Sequence, residues 1–233
     1  MPTLRPKRPS RDRVDDLVAA AATVFGQYGY RRTQMADIAH RAGVSPGNLY
    51  NYVDSKDALF YLVLRRMFGE GSHDQTLDLP LTGATVEVTA GWVEERLDFV
   101  SDFPELERAL ARRRPRDASA EIEAVIGELY DVLARMRVGI DMIERSAEDL
   151  PELARVFGDL QTELFARYER YLRARQRGSR VSDADPEAVA HLIVELCWWA
   201  AGRRHHDPHA TDISDAAARQ AACSFVAAAL TPQ

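Results

Sequence analysis

The chain has 233 residues, 46% of them hydrophobic and 28% charged, which excludes a disordered polymer and suffices for one large or two modest globular domains. No apolar run reaches the roughly 18 residues of a membrane span, and Met1–Ser10 is basic and Pro-rich without the apolar stretch of a signal peptide, so a cytoplasmic protein with no membrane partner is expected. The net charge of −6 is unevenly placed: residues 1–66 carry eleven Lys/Arg against six Asp/Glu, or +5, leaving −11 for the remainder. Phosphate binding needs only a local positive face, because salt confines each charge to about 10 Å.

Helical periodicity runs through almost every segment. From Arg11 to Tyr28 the apolar positions Val14, Leu17, Val18, Ala21, Phe25 and Tyr28 form one stripe, with Ser10 as N-cap and Gly29 as a C-terminal stop. Short helices are predicted from Thr33, its cap, to about Ala42 and from Ser45 to about Val53. A fourth is capped by Asp54 and runs through Leu59, Leu62, Val63 and Met67. Gly69 to Thr85 reads as a loop. Helices follow over about Val86 to Val100 and Pro104 to Arg113, then a basic turn through Pro115.

The helix predicted over Ala118 to Arg145 has two apolar stripes, one with Ile122, Val125, Ile126 and Leu129, the other with Tyr130, Ala134, Val138 and Met142. Burial on both sides is the mark of a central helix. Glu152 to Arg177 is another long helix, Asp185-Pro186 opens the next, and a last one spans about Ile213 to Leu230. No strand pattern occurs. The expected fold class is all-α: an N-terminal three-helix helix-turn-helix domain over 10–56, then a larger helical effector-binding and dimerisation domain over 57–233.

The segment Thr33 to Tyr52 carries the functional reading. A sharp crossing of two helices needs a small residue at the contact, a turn residue at ease in the left-handed region, and an N-cap for the second helix. Ala39, Gly43 and Ser45 supply these, with Pro46 at the first helical position. Ile38, Leu49 and Phe25 are the expected apolar anchors. The result is a helix-turn-helix whose second helix enters a major groove. Ser45, Pro46, Gly47, Asn48 and Asn51 are left facing outward. Asn48 suits a bidentate contact to adenine, and Gly47 allows close backbone approach. Thr33, Tyr50, Tyr52 and Lys56, one of two lysines in the chain, suit phosphate or thymine-methyl contacts. Arg5, Lys7 and Arg8 form a basic tail with a possible minor-groove role.

The run Ala42-Gly43-Val44-Ser45, followed by Leu49-Tyr50-Asn51-Tyr52-Val53-Asp54-Ser55-Lys56-Asp57-Ala58-Leu59-Phe60, resembles the N-terminal signature of the TetR family of transcription regulators. The resemblance covers about residues 10–65. It implies phosphate contacts from Thr33, Tyr50, Tyr52 and Lys56, and base or groove contacts from Ser45, Gly47, Asn48 and Asn51. It departs at Pro46, where a polar or basic residue is more usual, and at Val53, where Phe is common. It further implies a homodimer on a palindromic double-stranded operator, and a repressor released by an unidentified small-molecule effector.

In the C-terminal part, Val189, Leu192, Ile193, Leu196 and Trp199 form one stripe and Val194, Cys197, Trp198 and Ala201 another. The last helix has a small-residue face of Ala217, Ala221, Ser224 and Ala228, flanked by Phe225 and Leu230. Surplus apolar surface on two helices fits an isologous four-helix interface. Trp92, Phe99, Phe103, Tyr130, Met136, Met142, Phe165 and Trp198 are candidate lining residues for a mostly apolar ligand; each also suits plain core. Cys197 and Cys223 read as buried thiols rather than a disulfide. His205, His206, Asp207 and His209 read as an interhelical loop rather than a metal site, and no cofactor is expected. With no nucleophile motif, zinc motif or phosphate loop, the chain is not expected to be an enzyme. A helical protein-binding adaptor is the other alternative, separable by its lack of DNA sequence preference.

Overall fold

The computed structural model describes residues 11–68, 79–96, 103–112, 117–177, 184–210 and 212–231. The helices are α1 (Arg11–Arg32), α2 (Met35–Arg41), α3 (Pro46–Leu49), α4 (Lys56–Phe68), α5 (Val86–Arg96), α6 (Pro104–Ala111), α7 (Ala118–Ser146), α8 (Pro151–Gln176), α9 (Pro186–Ala201) and α10 (Asp215–Leu230), with a 3-10 turn at Arg203–His206. The fold is all-α. Among the described residues, strand-like pairing is confined to one parallel bridge between Val53 and Leu81. The chain forms two compact units: Met1–Leu97 with Val138–Phe157, and Asp98–Arg137 with Gly158–Gln233. The first contains the helix-turn-helix segment together with α4, α5, the end of α7 and the beginning of α8. Expectations for Ser10, the Arg5–Arg8 tail and the turn around Pro115 lie outside the described residues.

In the first unit α1 packs on α2 and α4. Its predicted stripe of Val14, Leu17, Val18, Ala21 and Phe25 is buried, but Tyr28 is 44% exposed. The helix changes course just after it. Helical bonding continues to Arg32, yet the backbone breaks at Gly29 (φ 74, ψ 175), a conformation an L side chain rarely adopts. A Cβ there would lie 2.6 Å from the carbonyl oxygen of Arg145. Beyond the break, Tyr30 turns back into the core. It stacks on Phe25 at 6.3 Å and meets Phe60 edge-on at 5.4 Å.

Three local expectations are corrected. Thr33 does not cap α2: the N-cap is Gln34, without a side-chain bond. The Thr33 hydroxyl instead donates to the Gly29 carbonyl at 2.7 Å. Ser55, not Asp54, caps α4, accepting from the Ala58 N–H at 3.1 Å, while the Asp54 carboxylate accepts from the Gly83 N–H at 3.1 Å. Finally, α3 ends at Leu49 rather than Val53. The Tyr52 carbonyl accepts from the Leu81 N–H at 2.8 Å and the Asp54 N–H donates to the Leu81 carbonyl at 3.1 Å. That pairing pulls the chain into an extended path that no helix can share.

The second unit is built on Ile122, Val125, Ile126 and Leu129 of α7 with Tyr168, Tyr171 and Leu172 of α8, all at most 1% exposed. Its short helix α6 is held at both ends by charge. The Glu128 carboxylate accepts from the N–H groups of Glu105 and Leu106 at 2.7 and 2.9 Å. At the other end, Arg175 donates to the carbonyls of Ala109 and Arg112 at 2.5 and 3.3 Å and pairs with Glu121 at 2.5 Å. An anion at the N-terminus and a cation at the C-terminus match the helix dipole. Asp185 caps α9 by accepting from the Ala188 N–H at 2.8 Å, as its sequence predicts.

Two outcomes follow. Gly29→Ala combines a left-handed backbone with a backbone clash, and is expected to lower unfolding stability by about 2–4 kcal/mol in urea titration. Gly47→Ala, which would meet nothing within 4 Å, is expected to change it by less than about 0.5 kcal/mol. Burial raises the Tyr168 and Tyr171 phenols and the Cys197 thiol above their ordinary ranges. The folded state then holds these protons more tightly than the unfolded chain. Their stabilisation is complete below about pH 8 and declines as unfolded thiols and then phenols ionise, near about 8.5 and 10. The urea midpoint is therefore expected to fall progressively above about pH 8.5; a flat midpoint to pH 11 contradicts this placement.

Candidate nucleic-acid interface

The corner between α2 and α3 is built as its residues dictate. Gly43 sits at φ 66, its N–H donating to the His40 carbonyl at 3.1 Å, and the Val44 N–H donates to the Ala39 carbonyl at 2.9 Å. Ser45 accepts from the Asn48 N–H at 3.2 Å, and Pro46 occupies the first turn. Phe25, Ile38, Ala39 and Leu49 are fully buried, so α3 is pinned to the body by one side chain, Leu49. Everything else on it is free for an external partner. Ser45, Pro46, Gly47, Asn48, Tyr50 and Asn51 are exposed.

The chemistry of this row is specific. The Asn51 amide donates to the Asn48 side-chain oxygen at 3.4 Å, which orients both amides before any partner arrives. An N–H₂ on Asn48 and an oxygen on Asn51 remain to face outward, the donor and acceptor that complement an adenine edge. No neighbouring atom of the chain requires a glycine at 47, because a Cβ there would meet open space. Arg31 and Arg32 at the end of α1 and Arg41 at the end of α2 are exposed, so the same segment also presents cations to water.

Three of the eight candidate interface residues occupy different settings. Thr33 is 2% exposed with its hydroxyl bound to Gly29. Tyr52 is 6% exposed, its ring part of the core. Lys56 donates to the carbonyls of Tyr30, Thr33 and Arg31 at 3.0, 3.3 and 3.5 Å, and its ammonium lies 4.4 Å from the centre of the Tyr30 ring. It is a cation closing the C-terminal end of α1. The Tyr30 hydroxyl bonds the Asp57 carboxylate; burial and that carboxylate together push the phenol above its ordinary range. The identity of Tyr30 and Asp57 as a pair escapes sequence reading because 26 residues separate them.

The candidate ligand residues are divided between the two units. Phe103, Tyr130, Met136, Phe165 and Trp198 fall in the second unit, Trp92 and Met142 in the first, and Phe99 lies outside the described residues. Phe103 stands edge-on to Tyr168 at 6.4 Å, Phe165 stacks on His191 at 3.9 Å, and Tyr130 donates to the Asp215 carbonyl at 3.0 Å. Trp92 stands edge-on to Tyr61 at 5.8 Å. Tyr168 was not among the sequence candidates, yet its hydroxyl and the Trp198 indole N–H are both buried without a hydrogen-bond partner. Among the described residues no group of three or more His, Cys, Asp or Glu is disposed to hold a metal ion; His205 and Asp215 approach to 3.3 Å. Both cysteines are buried free thiols. No helix of the described residues is long and apolar enough to cross a membrane.

Residues 17–62 match the family profile of the bacterial regulatory proteins, tetR family. The chain is 28% identical over 125 residues to the HTH-type transcriptional regulator RutR of Escherichia coli O157:H7, an alignment covering 50% of this chain and 55% of that protein. The chain thus spans about half the length of this relative. It is 24% identical over 208 residues to the HTH-type transcriptional repressor KstR2 of Rhodococcus jostii, covering 88% of this chain and 85% of that one. The solved structure of the ketosteroid transcriptional regulator KstR2 of Mycobacterium tuberculosis shares its fold, with a TM-score of 0.60 at 15% identity over 98% of this chain and 100% of that chain. With its exposed four-residue helix α3 and its all-α architecture, the chain carries over residues 17–62 the N-terminal domain of the bacterial regulatory proteins, tetR family.

Proposed function

We propose that the protein is a sequence-specific DNA-binding transcription regulator, a repressor that leaves a palindromic operator when a small molecule binds it. The observation that carries this reading is the row Ser45, Gly47, Asn48, Tyr50 and Asn51, exposed on and after a short helix whose one buried side chain is Leu49, in a segment that also exposes Arg31, Arg32 and Arg41. Asn48 and Asn51 read base edges, Tyr50 and the arginines meet phosphates, and Gly47 admits the backbone. Thr33, Tyr52 and Lys56 support contact by shaping the end of α1 and the exit from α3. A DNA-binding regulator of this kind acts in the cytoplasm and carries out no catalysis.

A palindromic site requires two reading heads. The dimer reading is supported by apolar side chains left in water on α9 and α10: Leu192 is 70%, Phe225 65% and Trp199 43% exposed. Ala217, Ala221, Ser224 and Ala228 are also exposed, a small-residue face suited to close helix approach. The effector reading is supported in the second unit by the two buried donors without partners, the Tyr168 hydroxyl and the Trp198 N–H. An unmade buried hydrogen bond is costly, and an apolar molecule bearing acceptor oxygens would supply what these donors lack.

Selection from a random DNA pool should enrich a palindrome, with affinity falling steeply as salt rises. Against that sequence, Asn48→Ala or Tyr50→Ala should weaken binding by about 10- to 100-fold, the worth of one good base or backbone contact, in mobility-shift titration, without changing the mass in solution. Wild-type affinity in both variants would reject this assignment of the interface. Separately, the pair Leu192→Glu and Phe225→Glu should halve the mass measured by light scattering at micromolar concentration. An unchanged dimer mass would move the interface elsewhere.

A further inference from the structure

The break at Gly29 leaves the N–H groups of the next two residues to be satisfied, and the partners come from far along the chain. The Tyr30 N–H donates to the Ser146 hydroxyl at 3.1 Å and the Arg31 N–H to the Asp149 carboxylate at 2.9 Å. The carbonyl of Arg145 lies against Gly29 itself, close enough that a Cβ would stand 2.6 Å from it. Three consecutive residues of the reading head thus meet three residues of the corner joining α7 to α8. All belong to one compact unit, in which Val138–Phe157 is grouped with the head.

The corner is stiff. Ser146 is fully buried, and its carbonyl accepts from the N–H groups of Asp149 and Leu150, each at 3.0 Å. Leu150 and Leu153 are buried on either side of Pro151, whose ring sets the first turn of α8. Farther back on α7, the Phe68 ring at the end of α4 lies over Gly139. A displacement of the α7 end therefore carries Ser146 and Asp149 with it rather than being absorbed in a loose loop. Of the elements of the fold, α7 and α8 are the two that contribute residues to both compact units.

We propose that Ser146 and Asp149 are positioning residues for DNA recognition: they form a latch that sets the orientation of the reading head through the amides of Tyr30 and Arg31. This rests on the DNA-binding reading above. The latch acts on the same short stretch whose carbonyls are held by Lys56 and Thr33. The end of α1 is consequently fixed on its acceptor side by the head and on its donor side by the α7–α8 corner. A change in the corner reaches α2 and α3 through Thr33 without passing through the hydrophobic core.

The test uses full-length protein and the DNA sequence that the wild type enriches from a random pool. In Ser146→Ala with Asp149→Ala, the amides of Tyr30 and Arg31 are expected to exchange at least about tenfold faster, and affinity for the selected DNA to fall about tenfold, as befits two hydrogen bonds of modest net strength. Affinity is measured at a temperature where circular dichroism shows the variant folded. The conservative pair Ser146→Thr with Asp149→Asn keeps both acceptors and is expected to restore exchange and affinity together, which a general loss of packing would not. Should the alanine pair fail to fold, Asp149→Ala alone, at a half-buried position, is expected to deprotect Arg31 and weaken DNA binding about threefold. Unchanged affinity with deprotected amides overturns the positioning role, and unchanged exchange overturns the latch itself. A wild-type protein that enriches no sequence removes the DNA reading and the positioning role with it, an outcome separable because amide exchange is read without DNA.

Discussion

The reading head depends on one interruption in its first helix. At Gly29 the chain leaves helical geometry and kinks, and the polar groups around the break must find partners outside the helix. Acceptors on this stretch are taken by Thr33 and Lys56, donors by Ser146 and Asp149. The Tyr30 side chain is turned inward among Phe25 and Phe60, with its hydroxyl on Asp57. A small left-handed step thereby determines where α2 begins and how α4 joins it. Lys56 and Asp57, adjacent in sequence, work on opposite sides of the same tyrosine. One caps the backbone and lies over the ring; the other receives the phenol.

From that anchor follows the unusual economy of α3. Four residues of helix, one buried side chain and a serine cap suffice, because the chain on both sides is held by other means. Upstream is the Gly43 corner. Downstream, Val53 is fully buried and paired with Leu81, and Asp54 ties the Gly83 amide. Isolated helices so short have no stability of their own; this one persists because tertiary contacts bracket it. The benefit is exposure. Nearly every side chain not needed for anchoring faces water, and the two asparagines order one another.

The second unit solves a different problem. Its helix α6 carries too few apolar residues to be held by burial alone, and two ionised side chains from neighbouring helices hold it instead, Glu128 at its beginning and Arg175 at its end. Arg167 adds a pair with Glu107. Buried charge of this kind stabilises only where geometry satisfies it, so it fixes one position of α6 more stringently than a greasy contact would. Arg204 does the same for the turn after α9, bonding the Ala200 and Ile213 carbonyls at 2.6 and 2.5 Å and pairing with Asp215. Thirty Lys/Arg residues, twenty-eight of them arginine, make such clasps available, since a planar guanidinium can bond several oxygens at once.

Periodicity alone located the long helices, because a 3.6-residue repeat of apolar side chains has no other stable use. The corner at Gly43, the cap at Ser45 and the proline after it were legible for the same local reason: each answers a steric demand within four residues. The exposed face of α3 followed directly, since Leu49 is its one apolar member. What lay beyond the sequence is what long-range pairing decided. The end of α3 was set by Leu81, whose N–H also holds the carbonyl of the buried Tyr52, the transfer of the α4 cap to Ser55 accompanies the engagement of Asp54 with Gly83, and the inward placement of Thr33 goes with its bond to the Gly29 carbonyl. Nothing local to Lys56 reveals that three carbonyls converge on it. Local sterics can be read from neighbours in the chain; the partner of a polar group released by a helix break is chosen only when segments more than a hundred residues apart come together.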